Sequence, residues 1–256
     1  MSLFNKVFAS VGIGSAKVDT KLYEGNITAG EEVRGVVEIT GGNIAQEIDE
    51  IYLSLNTNYI KERNDSKINQ HAIIDTFQIT ESFTIGANEK REFPFTYRLP
   101  VDSPITMGRT KVWIQTGLDI KNAIDPTDRD FIEVKPSPLV TSVLSALTDL
   151  GFRLREAKCE EAPYKLRKRL PFIQEFEFIP TSGEFRGKLD EIEVIFFPQS
   201  NQTVEVIMEV DRRARGLGSF LAEALEMDES VVRFTVATSD LPQLSEKIYN
   251  LVKRFS

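Results

Sequence analysis

The sequence predicts a mainly β protein made of two tandem antiparallel β-sandwich lobes with a few short amphipathic helices. Short segments alternate apolar and polar residues with a period of two, and turn-forming residues separate them without long helical patterns in between. A segment near residue 48 also has a close counterpart near residue 189. A chain of 256 residues accommodates two domains of about 100 to 150 residues each.

Alternation is clearest in the first half of the chain. Between residues 31 and 40, Val33, Val37 and Ile39 share one face, and Glu32 and Glu38 share the other. Pro94 cannot donate a backbone hydrogen bond, so we expect its strand to lie at a sheet edge or to carry a bulge. The same alternation predicts inward-facing residues in further strands: Ile51, Leu53, Leu55; Phe77, Ile79, Phe83, Ile85; Phe93, Phe95, Tyr97, Leu99; Val112, Ile114, Thr116.

A proline-rich connection follows the strand that ends near Lys135. We place the lobe boundary there, which gives an N-terminal lobe over 1–136 and a C-terminal lobe over 137–256. Ser137 and Pro138 are typical of a helix N-cap and first helical position, and Gly151 is typical of a C-cap. Beyond this linker helix the alternation resumes, first around Phe176 and then in a hairpin over residues 192–210 that turns near Pro198 to Asn201.

The two lobes share a short similar sequence. Ile48-Asp49-Glu50-Ile51 is matched by Leu189-Asp190-Glu191-Ile192, and each copy follows a strand and a glycine-bearing loop. Chance could produce four similar residues, but the matched order of elements around them favours a repeated unit.

Composition and charge disfavour several classes of function. The net charge of −8 repels a polyanion, so we expect no nucleic acid partner. The basic clusters Lys165–Arg169 and Arg212–Arg215 are typical of solvated strand ends; contact with anionic lipid or an acidic protein is the sharper alternative. No apolar run is long enough to span a membrane, and residues 1–8 do not resemble a secretory signal, so we expect a cytoplasmic protein.

The sequence contains no recognisable catalytic set. Its single histidine, His71, lies in a strand pattern, and its single cysteine, Cys159, is flanked by carboxylates that disfavour a thiolate. We therefore expect neither an enzyme nor a bound cofactor or metal. Glycosidase-like chemistry with carboxylates alone stays formally open, although no feature pairs two of them.

An aspartate-rich segment is the best candidate for an ion site. Asp119, Asp125, Asp128 and Asp130 supply oxygen ligands of the kind that calcium prefers, but the spacing of a calcium-binding hand is absent. We expect these carboxylates to cap turns instead.

Three segments have helical apolar spacing beyond what the sandwiches need: 3–11, 217–225 and the end of the chain. In the last one Asp240 is the predicted N-cap. Its stripe either docks on its own lobe or binds a partner or a second copy, and exposed sheet edges are a second route for self-association. The candidate partner-binding residues are Leu244, Ile248, Leu251, Val252 and Phe255.

Several motifs resemble those of known families. FPFTYRLP from Phe93, followed by Pro104 and Gly108, resembles a segment of arrestin-like N-terminal lobes. FASVGIGSAKVD from Phe8, WIQTGLDI from Trp113 and RARGLG from Arg213 are similar to the bacterial sporulation-control family of arrestin-like proteins. That resemblance implies a cytoplasmic regulator of sporulation entry that acts through contacts with regulatory proteins and has no cofactor. The charged triad that senses phosphate in animal arrestins is not evident, so phosphopeptide recognition is not implied.

Two functional hypotheses follow. The first is a non-enzymatic adaptor whose sheet edges, interlobe groove and terminal helix contact regulatory proteins. The second is a peripheral membrane- or cytoskeleton-associated scaffold that uses the stripe between Leu3 and Val11. Because Lys6 is the only lysine in that segment, attraction to anionic lipid would be weak.

Overall fold

The computed structural model describes residues 15–63, 66–120, 125–211 and 230–256. Within these ranges strands dominate and helices are few and short, which confirms the predicted mainly β class with a few short helices. Among the described residues, no helix is long and apolar enough to cross a bilayer. The strands are β1 (Lys17–Leu22), β2 (Asn26–Thr28), β3 (Glu32–Thr40), β4 (Gln46–Arg63), β5 (Ser66–Thr80), β6 (Phe83–Ile85), β7 (Lys90–Arg98), β8 (Val112–Ile120), β9 (Thr127–Lys135), β10 (Phe152–Glu161), β11 (Phe172–Pro180), β12 (Glu191–Ser200), β13 (Thr203–Asp211) and β14 (Val231–Ala237). The helices are α1 (Pro138–Asp149), a 3₁₀ helix (Thr238–Gln243) and α2 (Leu244–Lys253).

The strands form two sheets. The smaller has the order β1-β3-β7, and the larger has the order β14-β13-β12-β11-β10-β4-β8-β9-β2, with β5 and β6 also paired to β4. Neighbouring strands are antiparallel except for β2 with β9 and a single parallel bridge between Glu160 of β10 and Ile60 of β4. That bridge joins the first-lobe and second-lobe parts of the larger sheet.

The first lobe is a sandwich of the smaller sheet against part of the larger one. Val37 and Ile39 of β3 and Ile51 of β4 are fully buried in its core, as their alternation predicts. Pro94 lies in β7, which is an edge strand of the smaller sheet, so the prediction from its missing N–H is confirmed.

The second lobe is built on one antiparallel sheet, β10 to β14. Helices α1 and α2 cover one face, where Phe176, Val194 and Ile248 are buried together. The loop over residues 162–171 covers part of the other face through Ala162 and Leu166. In the described residues, helices rather than a second sheet therefore close the core of this lobe.

The linker helix α1 has the predicted start. The Ser137 hydroxyl accepts a hydrogen bond from the Val140 N–H at 3.4 Å, and Pro138 opens the helix. The C-cap is Leu150, one residue before the predicted Gly151. Gly151 follows with a φ of +92°, and a Cβ there would lie 2.4 Å from the Ser182 carbonyl oxygen.

The terminal helix starts later than predicted. The 3₁₀ helix occupies the positions assigned to its first turn, and α2 begins at Leu244. Asp240 is not the N-cap of α2, because its carboxylate accepts from the Ala237 N–H at 2.9 Å and so closes the turn after β14. The hairpin turn is also displaced, since Pro198 lies inside β12 beside a register shift.

The similar segments around Asp49 and Asp190 do not occupy equivalent positions. In the first copy β3 and β4 lie in different sheets, whereas in the second copy β11 and β12 are hydrogen-bonded neighbours. The prediction of a repeated unit is therefore wrong, because strand order, which sequence spacing does not report, differs between the copies.

The two lobes share part of one core. Cys159, Leu170 and Phe172 lie beyond the predicted boundary yet are buried in the first-lobe cluster. Phe172 stacks on Tyr59 with ring centroids 5.7 Å apart. The connection over residues 135–138 leads from β9 to α1. The division of the chain into two domains at residue 136 stays a prediction.

Candidate functional site

A cavity of about 130 Å³ lies at the junction of the lobes. The first lobe contributes the loop between β7 and β8, and the second contributes β11, the end of β12 and the loop before β11. Most of the wall is apolar. The described lining residues are Ala29, Val101, Asp102, Ser103, Pro104, Ile105, Ser137, Val140, Lys168, Leu170, Phe172, Ile173, Gln174, Phe176, Phe196, Phe197 and Pro198.

Gln174 holds the two walls of this cavity together. Its side-chain amide donates to the Ile105 carbonyl at 2.7 Å, and its side-chain oxygen accepts from the Ile105 N–H at 2.7 Å. The same amide donates to the Thr110 hydroxyl at 3.1 Å. Because the backbone of Ile105 is satisfied by a side chain of the other lobe, the junction has a defined geometry.

Arg169 makes the second polar link between the lobes. Its guanidinium donates to both carboxylate oxygens of Asp102, at 3.0 and 2.6 Å, and also to the Ile74 carbonyl. Nearby, the Tyr97 hydroxyl donates to Asp75 at 2.8 Å. Burial, together with this hydrogen bond, raises the pKa of Tyr97 well above its usual range. The two hydrogen bonds from Arg169 neutralise Asp102, which is the one carboxylate among the described lining residues.

Replacing Arg169 by Ala should destabilise the protein by about 1 to 2 kcal/mol, because it removes the bidentate ion pair with Asp102 and the hydrogen bond to the Ile74 carbonyl. The pair is partly exposed, which keeps the loss at this level. Urea unfolding measures the change. Arg167→Ala in the same loop is the control and should cost less than about 0.5 kcal/mol. Equal losses in the two variants would contradict the assignment.

A second cluster of charged residues covers the outer face of the second-lobe sheet. Glu177, Glu193 and Glu209 lie directly opposite one another on β11, β12 and β13. Burial, together with repulsion from the neighbouring glutamates, raises the pKa of Glu193 to about 9. Burial likewise raises the pKa of Glu175 to about 7, although Lys158 opposes that shift.

This cluster is the best metal-binding geometry in the described residues. One carboxylate oxygen from each of Glu177, Glu191 and Glu193 lies within 4.8 Å of the others. However, the Arg155 guanidinium already contacts Glu177 and lies 2.7 Å from Glu191. A cation is thus supplied by the chain itself, and the donor set fits an internal ion-pair network better than a metal site.

Glu193→Gln should raise stability by about 1 to 2 kcal/mol at pH 8, because it removes the free-energy cost of keeping this carboxyl protonated in the folded state. A carboxyl whose folded pKa is raised stays protonated in the folded state from about pH 4.5 to about 9 and releases its proton on unfolding. The free energy of unfolding therefore decreases as pH rises through this window.

The gain from Glu193→Gln should accordingly grow with pH and be smallest near pH 5. Thermal unfolding of both proteins at several pH values measures it. The exposed Glu62→Gln is the control for loss of one charge. A gain that does not depend on pH would contradict the shifted titration of Glu193.

The structure places the five candidate partner-binding residues against their own lobe. Leu244, Ile248, Leu251 and Val252 are buried, with Ile248 and Val252 fully so, and Phe255 packs on the same core half-buried. A partner can reach this stripe only if α2 leaves the sheet. Binding by these residues stays a prediction, and the geometry favours the alternative that the helix docks on its own chain.

The other candidates from the sequence fall at separate places. His71 is exposed on β5, stacks on Trp113 with ring centroids 5.6 Å apart, and bonds to the Asn56 side-chain oxygen at 2.9 Å. Cys159 is buried, and burial raises the pKa of its thiol to about 12, as suits a structural residue. In the part of the chain that the structure describes, no contact joins His71 and Cys159.

The aspartate-rich segment is partly described. Asp125 accepts from the Ile120 N–H at 3.0 Å, and Asp128 accepts from the Thr20 N–H at 2.7 Å. Burial, together with repulsion from the nearby Asp128 carboxylate, raises the pKa of Asp130 to about 6. Asp125 and Asp128 therefore serve backbone groups, as the capping interpretation expects, whereas one buried oxygen of Asp130 has no hydrogen-bond partner among the described residues. Residues 121–124 and the stripes 3–11 and 217–225 lie outside the described residues.

The adaptor hypothesis named an interlobe groove as a contact surface, but the sequence did not identify the residues that line the cavity. Its walls come from residues separated by more than a hundred positions, and no local period marks them. The one available signal was the basic cluster Lys165–Arg169, which was interpreted as a solvated strand end, with contact with anionic lipid or an acidic protein as the sharper alternative. The structure places this cluster in the loop that borders the cavity.

Comparison with known proteins gives one consistent result. Residues 4–214 match the family model described as SpoOM protein. The sporulation-control protein Spo0M of Bacillus subtilis (strain 168) is 48% identical over 246 residues, which cover 96% of this chain and 95% of that protein. The crystal structure of Spo0M from Bacillus subtilis superposes with a TM-score of 0.88 at 46% identity, covering 95% of this chain and 100% of the solved one.

Proposed function

Because this chain belongs to the SpoOM protein family, we propose that it regulates entry into sporulation as a non-enzymatic cytoplasmic adaptor that binds regulatory proteins. The family and the sporulation-control role of its Bacillus subtilis member support the process. The adaptor mechanism rests on the geometry of this chain, and its contacts are made at the junction of the two lobes.

The observation that carries the proposal is the cross-lobe clamp around the cavity. Gln174 and Arg169 of the second lobe bind Ile105 and Asp102 of the first through paired hydrogen bonds. Such a clamp keeps a concave, mostly apolar surface preformed, and a preformed surface loses little entropy when it binds a partner.

The test is site-specific photocrosslinking in sporulating cells. A photoreactive residue replaces Pro198 at the cavity, and a matched one replaces Lys17 on β1 as the control, since Lys17 is exposed and outside the cavity. Position 198 should capture one or a few discrete proteins during early sporulation, and position 17 should not. Disruption of the gene should change the yield of heat-resistant spores. Normal sporulation together with no capture at either position would reject the adaptor role.

A further inference from the structure

We propose that the interlobe cavity is a recognition pocket for an acidic peptide segment that inserts one aromatic side chain. The proposal rests on the proposed adaptor function and names the chemistry of its partner. Three features of the described residues carry it: the size and lining of the cavity, an unpartnered hydroxyl in its wall, and the charge at its border.

The dimensions of the cavity fit a single large apolar side chain. An apolar cavity of about 150 Å³ in another protein holds one benzene molecule, and this cavity measures about 130 Å³. Phe172, Phe176 and Phe196 line it, and aromatic walls favour tilted or offset packing of another ring. A phenylalanine ring therefore matches the space, whereas a folded domain or a long acyl chain does not.

Ser103 provides the polar contact that a peptide backbone needs. Its residue is only 5% exposed, and its hydroxyl has no hydrogen-bond partner among the described residues. Buried hydroxyls are nearly always bonded, and in the proposed complex this unpartnered hydroxyl rotates about the Cα–Cβ bond to reach the ligand. A backbone carbonyl next to the inserted ring accepts this hydrogen bond, which a purely hydrocarbon ligand cannot do.

The border of the cavity selects an anion even though the whole chain carries a net charge of −8. Lys168 is exposed there, with its ammonium 5.8 Å from the centre of the Phe197 ring. Neither Lys168 nor Arg167 forms an ion pair with any described residue, and the carboxylate of Asp102 is already bound twice by Arg169. The charge left at the border is therefore positive, and acidic residues flanking the aromatic ring complement it.

The probe is a fluorescein-labelled peptide, EEDFEDE, titrated with the full-length protein and followed by fluorescence anisotropy. Two matched peptides separate the contributions: EEDGEDE lacks the ring, and QQNFQNQ lacks the charges. We expect saturable binding of EEDFEDE, and at least about tenfold weaker binding of each matched peptide, because each lacks one of the two complementary features.

Variants of the protein locate the binding. Lys168→Glu should weaken EEDFEDE by about tenfold or more, while Lys17→Glu, the same charge change on β1, should leave it unchanged. Ser103→Ala should weaken it by about three- to tenfold. Ala29→Leu, which extends a side chain into the cavity, should abolish it. Thermal unfolding verifies that each variant is folded, and Lys168→Glu, being a surface change, keeps the test valid if Ala29→Leu does not fold.

Several results would overturn the proposal. Equal binding of EEDFEDE and EEDGEDE would show that charge alone attracts the probe, and a folded Lys168→Glu variant with unchanged affinity would place the site elsewhere. Binding of anionic phosphatidylglycerol vesicles that Lys168→Glu abolishes, without any binding of EEDFEDE, would assign the basic loop to membranes. A dimer in sedimentation experiments that Ala29→Leu dissociates would assign the cavity to a second copy. Continued photocapture at position 198 in cells would leave the adaptor role standing in each case.

Discussion

Gly108→Ala should destabilise the protein by about 3 to 5 kcal/mol, a loss that would unfold a large fraction of a marginally stable chain. Gly108 has a φ of +61°, which costs an L-residue about 1 to 2 kcal/mol. A Cβ there would also lie 2.5 Å from the carbonyl oxygen and 2.8 Å from the nitrogen of Ala157. Both neighbours are backbone atoms of a buried strand, so neither can move aside cheaply.

The contact at Gly108 joins the lobes. The next residue, Arg109, donates its N–H to the Ala157 carbonyl at 3.0 Å, so the loop before β8 is bonded directly to β10. Separating these segments would also open the cavity. Urea unfolding monitored by Trp113 fluorescence measures the loss of stability.

Gly187→Ala is the matched control for Gly108→Ala. Gly187 also has a positive φ, +78°, but a Cβ there would meet no atom within 4 Å. It should therefore lose only the conformational part, about 1 kcal/mol. If the two variants were equally stable, the close approach to Ala157 would have no energetic consequence, and the tight junction inferred at this point would be wrong.

Ile248→Ala should cost about 3 kcal/mol, because it removes three carbons from a fully buried site between α2 and the second-lobe sheet. The exposed Asn250→Ala in the same helix should change stability by less than about 0.5 kcal/mol. Thermal unfolding of the two variants provides the measurement.

The Ile248 result bears directly on how the terminal stripe is used. A helix that spends much of its time away from the lobe would show a loss below about 1 kcal/mol at Ile248, since its side chain would then be solvated in the native ensemble. A large loss would mean that a partner must compete with the sheet for this face. In that case the junction between the lobes, which is accessible without rearrangement, is the more favourable binding surface.

Much of the local structure followed from the sequence. Alternation around Val37 and Ile51 identified which faces are buried, and the missing N–H of Pro94 identified an edge strand. Ser137 and Pro138 identified the start of α1. Each of these depends on a residue and its near neighbours, because side chains alternate across a strand and caps satisfy the first turn of a helix.

Errors appeared where the outcome depended on distant parts of the chain. Asp49 and Asp190 lie in similar local sequences but in differently ordered sheets. The stripe of α2 is correct as a helical face, yet its periodicity is the same whether the face docks on its own lobe or on a partner. Asp240 had the chemistry of an N-cap, but a preceding 3₁₀ turn used its carboxylate.

The sequence by itself determined the strands and helices, their buried faces and the family, because these depend on residue type and short-range spacing. Only the tertiary structure decided that Ser103, Gln174, Lys168 and Phe196 surround one cavity. The physical reason is that strand order brings together residues far apart in the chain, and neither their spacing nor their individual chemistry encodes that proximity.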